Sequence, residues 1–107
     1  MAAARIQLPA SARRGEIVEV RLVIQHPMET GFRYDSMGQR TPRNAIQSLV
    51  CRYGGKEAFR AALSTGIAAN PYLRFFLRAS ETGDIHVEWV DQENASGSVS
   101  GRLNVSD

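Results

Sequence analysis

Redox or metal chemistry in this chain would have to come from Cys51, His26 and His86, since it carries one cysteine and two histidines. A blue-copper centre needs the cysteine, a histidine and a weakly bound methionine close to one loop. No histidine or methionine follows Cys51 nearby; the next histidine, His86, falls on the polar face of another segment. The spacing of clustered zinc ligands is also missing. Cys51 follows Leu49 and Val50, and free cysteines in such apolar settings are commonly packed and inert. Reactive thiols usually sit at exposed electropositive sites, so a packed thiol is the first reading of Cys51. An interchain redox contact with a partner is the second. Neither a GxSxG elbow nor a glycine-rich phosphate loop occurs.

The segment Gln25-His26-Pro27-Met28-Glu29-Thr30-Gly31-Phe32-Arg33-Tyr34-Asp35 offers binding chemistry instead. It combines a rigid proline, a glycine and an imidazole with Met28, Phe32 and the charges of Glu29, Arg33 and Asp35. Aromatic, Met and Arg side chains are enriched in protein interfaces. The segment opens an irregular stretch from His26 to Asn44, and long loops in compact domains are often functional. A loop packed on its own chain is the competing reading.

The elements that must position these residues repeat with a period of two. Val18, Val20, Leu22 and Ile24 share one face of Glu16–Gln25. Leu73, Phe75 and Leu77 alternate with Arg74 and Arg78, and Ile85, Val87 and Trp89 alternate with His86 and Glu88. Val99, Leu103 and Val105 continue the pattern. Gly54-Gly55 and Glu81-Thr82-Gly83-Asp84 read as hairpin turns. With strands at Arg5–Leu8, Ile46–Tyr53 and Glu57–Leu63, the count is about seven, at the spacing of a β-sandwich. Lys56–Leu63 also carries helix formers, but the Gly-Gly turn before it favours a strand. In Ile46–Tyr53 one face holds Leu49, Cys51 and Tyr53 while Ile46 and Val50 keep the other partly apolar. That outer face therefore needs cover, from this chain or from another protein.

The 107 residues fit one domain. A net charge of +2 with interleaved Arg and Glu/Asp, and 7% aromatic residues, argue against a nucleic-acid surface. All basic residues but Lys56 are arginine, a side chain suited to forked pairing with carboxylates. No apolar run approaches the roughly 20 residues of a membrane helix. The first residues show no secretory h-region, so these features alone suggest a soluble cytoplasmic protein.

Several runs carry a family resemblance. They are Ala4-Arg5-Ile6-Gln7-Leu8-Pro9, Gly15-Glu16-Ile17-Val18-Glu19-Val20, Ile24-Gln25-His26-Pro27-Met28-Glu29-Thr30-Gly31, Thr41-Pro42-Arg43-Asn44, Val50-Cys51-Arg52-Tyr53 and Ala68-Ala69-Asn70-Pro71-Tyr72. Across nearly the whole chain they resemble the SoxZ family, small subunits of the SoxYZ carrier of bacterial thiosulfate oxidation. The resemblance implies an all-β, immunoglobulin-like antiparallel sandwich without a catalytic site or cofactor of its own. It implies a heterodimer with SoxY, which carries sulfur intermediates on a cysteine of its C-terminal arm, and transient docking to other Sox enzymes. It revises the expected compartment to the periplasm, reached together with the partner. It does not transfer the sulfur-bearing role to Cys51. The expected contact surface is His26, Met28, Glu29, Phe32 and Arg33, with Arg43, Asn44 and Asn70; Met28 and Phe32 are the apolar anchor and Glu29 and Arg33 the orienting charges. An independent redox or metal-binding sandwich using Cys51 and the histidines is the alternative.

Overall fold

The computed structural model describes residues 3–63 and 69–107. Nine strands follow one another: β1 (Ala4–Gln7), β2 (Ala12–Arg13), β3 (Ile17–Ile24), β4 (Ile46–Tyr53), β5 (Lys56–Ala62), β6 (Tyr72–Arg78), β7 (Gly83–Asp91), β8 (Ser96–Leu103) and β9 (Val105–Ser106). They form a three-stranded sheet, β1-β3-β6, and a four-stranded sheet, β5-β4-β7-β8, both antiparallel. A short parallel pair, β2 with β9, clips the start of the chain to its end. The seven longer strands match those expected from the alternation, and Lys56–Ala62 is a strand. The β2–β9 clip was not foreseen, because two-residue strands carry no readable period.

The core forms where the inward residues of the two sheets meet. Val18, Val20, Leu22 and Ile24 of β3 and Phe75 and Leu77 of β6 face Leu49 and Cys51 of β4, Ile85, Val87 and Trp89 of β7, and Leu103 of β8, all buried. Phe59 and Phe75 stack between the sheets with ring centroids 4.5 Å apart. On β8 the inward positions alternate Gly97, Val99, Gly101, Leu103. The two glycines leave room for neighbours: a Cβ at Gly97 would lie 2.4 Å from Trp89, and one at Gly101 would lie 2.8 Å from Leu8.

One register differs from the sequence reading. A bulge between Ile46 and Ser48 shifts β4 against β7, so Ile46 and Leu49 both point inward although they are three residues apart. Ile46 was expected on the outer face beside Val50; it is fully buried instead. Val50 alone remains on that outer face, half-covered beside Arg60 and Glu88 of the neighbouring strands.

Candidate functional site

The HPMETG run folds around its own histidine. Met28 holds a left-handed backbone, φ 50°, which is unusual for a non-glycine residue and needs support. Support comes from His26, whose Nδ1 accepts the Met28 N–H at 3.0 Å, and from Met28 Sδ, which accepts the Ile46 N–H at 3.4 Å. Met28 is thereby turned into the core at 3% exposure. This corrects the expectation that it is an exposed anchor: its apolar side chain fills the end of the sandwich. Gly31 is required where the chain crosses Arg43, because its φ is 89° and a Cβ there would lie 3.1 Å from the Arg43 Cβ.

His26 was expected to face a partner but is buried, and its other ring nitrogen meets a carboxylate. Nε2 lies 3.0 Å from Asp91 Oδ2. Since Nδ1 is an acceptor, Nε2 carries the proton and donates it. Asp91 Oδ1 accepts the N–H groups of Glu93 and Ala95, both at 2.9 Å. Burial opposes ionisation of Asp91, but the hydrogen bonds from His26, Ala95 and Glu93 prevail and hold its pKa below the ordinary value. Asn70 binds the His26 backbone twice: its Oδ1 accepts the His26 N–H at 3.1 Å, and its N–H donates to the His26 carbonyl at 2.7 Å. Asn44 exchanges backbone hydrogen bonds with Glu29 at 2.6 and 2.9 Å and donates its amide to Glu93 at 3.0 Å.

The structure thus gathers His26, Met28, Glu29, Asn44 and Asn70 at one end of the sandwich, around Asp91. Sequence reasoning missed Asp91. Its signal was parity: it continues the inward series Ile85, Val87, Trp89, so a carboxylate at that place needs a buried partner. A shallow pocket of about 340 Å³ opens beside this knot, lined by Gln25, His26, Pro27, Asn44, Trp89 and Asp91 among others. The imidazole is not set up for proton transfer. Both its nitrogens are engaged, and the His26 and Asp91 side chains are 5% and 7% exposed. The pair is a lock joining the 26–28 turn to the end of β7.

Beyond the lock, residues 29–44 form an arm rather than an irregular loop. Bridges Glu29↔Asn44 and Tyr34↔Arg40 run along it, and at its tip Asp35 Oδ1 accepts the N–H groups of Met37 and Gln39. Strands of eight or nine residues reach roughly 30 Å, so the 59 Å long axis of the molecule requires a projecting element. Phe32, Tyr34 and Met37 on the arm are 78%, 65% and 84% exposed. Arg33 reaches back to Glu29 at 3.0 Å, and Arg43 is exposed. The expected apolar anchor therefore comes down to Phe32, joined by Tyr34 and Met37, which the sequence reading did not single out.

Cys51 is buried in β4, away from solvent. Desolvation pushes its thiol pKa up to about 11. The geometry corrects the expected interchain redox contact, since no partner thiol can reach this sulfur while the sheets are closed. A thiol reagent at mildly alkaline pH is expected to leave the native protein unlabelled and to label it fully in denaturant; rapid labelling of the native protein would contradict this packing. His86 lies half-buried on the outer face of β7, hydrogen-bonded to Ser100. Among the described residues no three His, Cys, Asp or Glu side chains are grouped to hold a metal, so Cys51 and the histidines are not assembled into the centre that the alternative reading requires.

The family model for sulphur oxidation protein SoxZ matches residues 6–101. The chain belongs to the SoxZ family. Sulfur oxidation is therefore the process in which this SoxZ-family chain takes part. Among solved structures it is similar to a superoxide reductase (neelaredoxin) from Ignicoccus hospitalis, with TM-score 0.74 and 16% identity over 96% of this chain and 79% of that one. It is also similar to the sulfur carrier protein SoxY from Chlorobium limicola, with TM-score 0.67 and 12% identity over 98% of this chain and 80% of that one. A putative superoxide reductase from Thermotoga maritima has TM-score 0.72 and 14% identity over 97% and 86% of the two chains. At these identities the likeness establishes a shared immunoglobulin-like sandwich and nothing of activity. The search of curated proteins returned no match. No helix of the described residues is long and apolar enough to cross a membrane.

Proposed function

We propose that this chain is the non-catalytic subunit of a SoxYZ sulfur carrier. It holds SoxY, the subunit that bears the sulfur intermediates, and helps present it to the periplasmic enzymes that load, oxidise and release that sulfur. It reaches the periplasm together with SoxY. The projecting arm carries this reading, because it is anchored by a buried polar lock and ends in exposed aromatic, methionine and arginine side chains. Burying Phe32 at the centre of a contact, with Arg33, Arg43 and Asn44 at its rim, matches the distribution of interface hot spots. The lock fixes the base of the arm before any partner arrives, which lowers the ordering cost of binding.

Co-expression with SoxY followed by sizing is the direct test, with a stable one-to-one complex as the expected result. Changing Phe32 and Arg33 together to alanine is expected to weaken at least one contact, with SoxY or with a sulfur-oxidising enzyme, by about tenfold or more, leaving the thermal midpoint nearly unchanged. Unaltered affinity for all of them would remove the arm from the mechanism, and the lack of any complex with SoxY would remove the reading itself.

A further inference from the structure

Six large hydrophobic side chains are prominently exposed among the described residues, and they lie in two places. Phe32, Tyr34 and Met37 are on the arm; Ile17, Tyr72 and Phe76 are on the outer face of the three-stranded sheet, at 54%, 56% and 57% exposure. On that sheet Val23 pairs with Tyr72, Arg21 with Arg74, Glu19 with Phe76 and Ile17 with Arg78. These paired residues all point outward, since the alternate ones fill the core. Arg5 and Gln7 of β1 join the same face opposite Val23 and Arg21.

The charges on this face do not balance. Arg5, Arg21, Arg74 and Arg78 meet one acid, Glu19, which already pairs with Arg21 and, at 3.5 Å, with Arg74. Arg74 also lies over the Phe76 ring, 6.0 Å from its centroid. The outer face of the other sheet behaves differently. Its arginines are matched by Arg52–Glu88, Arg60–Glu57 and Arg102–Asp84 pairs, and β8 presents Ser96, Ser98 and Ser100 there. In addition, β6 is an edge strand, with β3 on one side and no strand on the other among the described residues. A seven-residue edge flanked by exposed aromatics is a surface that folded proteins usually cover.

We infer that the outer face of the β1-β3-β6 sheet is the permanent seat of the partner subunit, and that the partner brings carboxylates interleaved with apolar groups. This rests on the reading of the chain as a SoxYZ subunit and adds to it the face used and the chemistry that meets it. Phe76, with Ile17 diagonal to it, is one apolar anchor, and Tyr72 is a second beyond the Arg21–Arg74 row. The arginines are interleaved with these anchors, Arg21 and Arg74 between them and Arg5 and Arg78 towards the two ends, and they disfavour basic surfaces and speed encounter with an acidic one. The arm, at a different place on the molecule, stays free for transient contacts.

The experiment measures affinity for purified SoxY at several salt concentrations, using the full chain. Phe76→Glu is expected to weaken binding by about thirtyfold or more, the scale of a central hot spot. Arg74→Glu with Arg78→Glu is expected to weaken it by about tenfold and to flatten its salt dependence. Arg102→Glu, on the opposite sheet, should change nothing. All these positions are exposed, so thermal midpoints near the parent's are expected, and the charge-reversal pair gives a second reading if Phe76→Glu does not fold. Should SoxY bind the parent and every variant equally, this face is not the seat, though the SoxYZ reading survives. An equal loss with Arg102→Glu would likewise overturn the assignment. If the chain alone forms a dimer that Phe76→Glu dissolves, the occupant is a second copy and the inference fails. A parent chain that does not bind SoxY at all defeats the SoxYZ reading and the partner assigned here with it.

Discussion

Replacing Asp91 with alanine is expected to cost about 1–3 kcal/mol of folding stability, the range for leaving a buried donor without its partner. One carboxylate serves three donors: His26 Nε2 and the N–H groups of Glu93 and Ala95. Alanine would leave the buried His26 Nε2–H without its acceptor, at roughly 1–3 kcal/mol, whereas Glu93 and Ala95 are exposed and their N–H groups can turn to water. The loss should extend beyond the site. His26 holds the Met28 backbone in its left-handed turn, and Met28 closes the core above Ile46. Urea denaturation measures the cost, and hydrogen exchange along residues 27–45 shows whether the arm's base loosens with it. A loss below about 1 kcal/mol would mean that the lock is not what secures this end of the sandwich.

The same carboxylate sets a pH signature. Its folded pKa lies below the ordinary aspartate value of 3.8, so below about that pH the unfolded chain binds the proton more readily than the folded one. The stabilisation is therefore complete above the ordinary value and is lost as pH falls through the folded one. In Asp91→Asn this part of the acid dependence should disappear, leaving a shallower decline at low pH. An unchanged acid limb would assign the acid sensitivity to other carboxylates.

What was legible in the sequence is what repeats. Alternation in β3, β6 and β7 gave the strands, their inward faces and the sandwich, because a half-buried strand imposes a period of two on its residues. What was not legible depends on a single residue breaking the repeat. The extra residue at Gln47 moves Ile46 from the outer face to the core, and no composition rule marks a bulge. Met28 reads as an exposed anchor until its positive φ is known, since burial there follows from the backbone and not from the pattern around it. The HPMETG and AANPY runs were legible as a family mark. Their mutual contact, Asn70 on the His26 backbone, was not, because it joins residues far apart in sequence. Tyr72 and Phe76 did leave a signal: they stand in phase with Arg74 and Arg78, on the side of β6 that the alternation assigns to solvent. Large aromatic residues in a solvent phase point to a surface awaiting cover, and they define the face argued above.

Gly97→Ala is expected to be the most costly single-methyl addition among the described glycines, at about 3 kcal/mol or more, the upper range for overpacking a core. Gly97 pairs directly with Trp89 across β7 and β8, and the indole lies over the position where a side chain would stand. An added Cβ would sit 2.4 Å from Cζ2 and 2.7 Å from Cε2 of that ring, well inside van der Waals contact. The ring cannot simply swing aside, because it is 4% exposed and packed among the buried residues of both sheets. Trp89 is the chain's one tryptophan, so its fluorescence reports the displacement: a shifted emission should accompany the lost stability. Pairing Gly97→Ala with Trp89→Leu should recover part of the loss relative to the sum of the two single changes, because the smaller side chain vacates the space the methyl needs. Full additivity would show that the two residues do not compete for that volume. The outcome also bears on the site, since Trp89 lines the pocket beside His26 and Asp91. If the indole is forced off Gly97, the end of β7 that presents Asp91 must shift with it, and the lock at the base of the arm should weaken in the same variant.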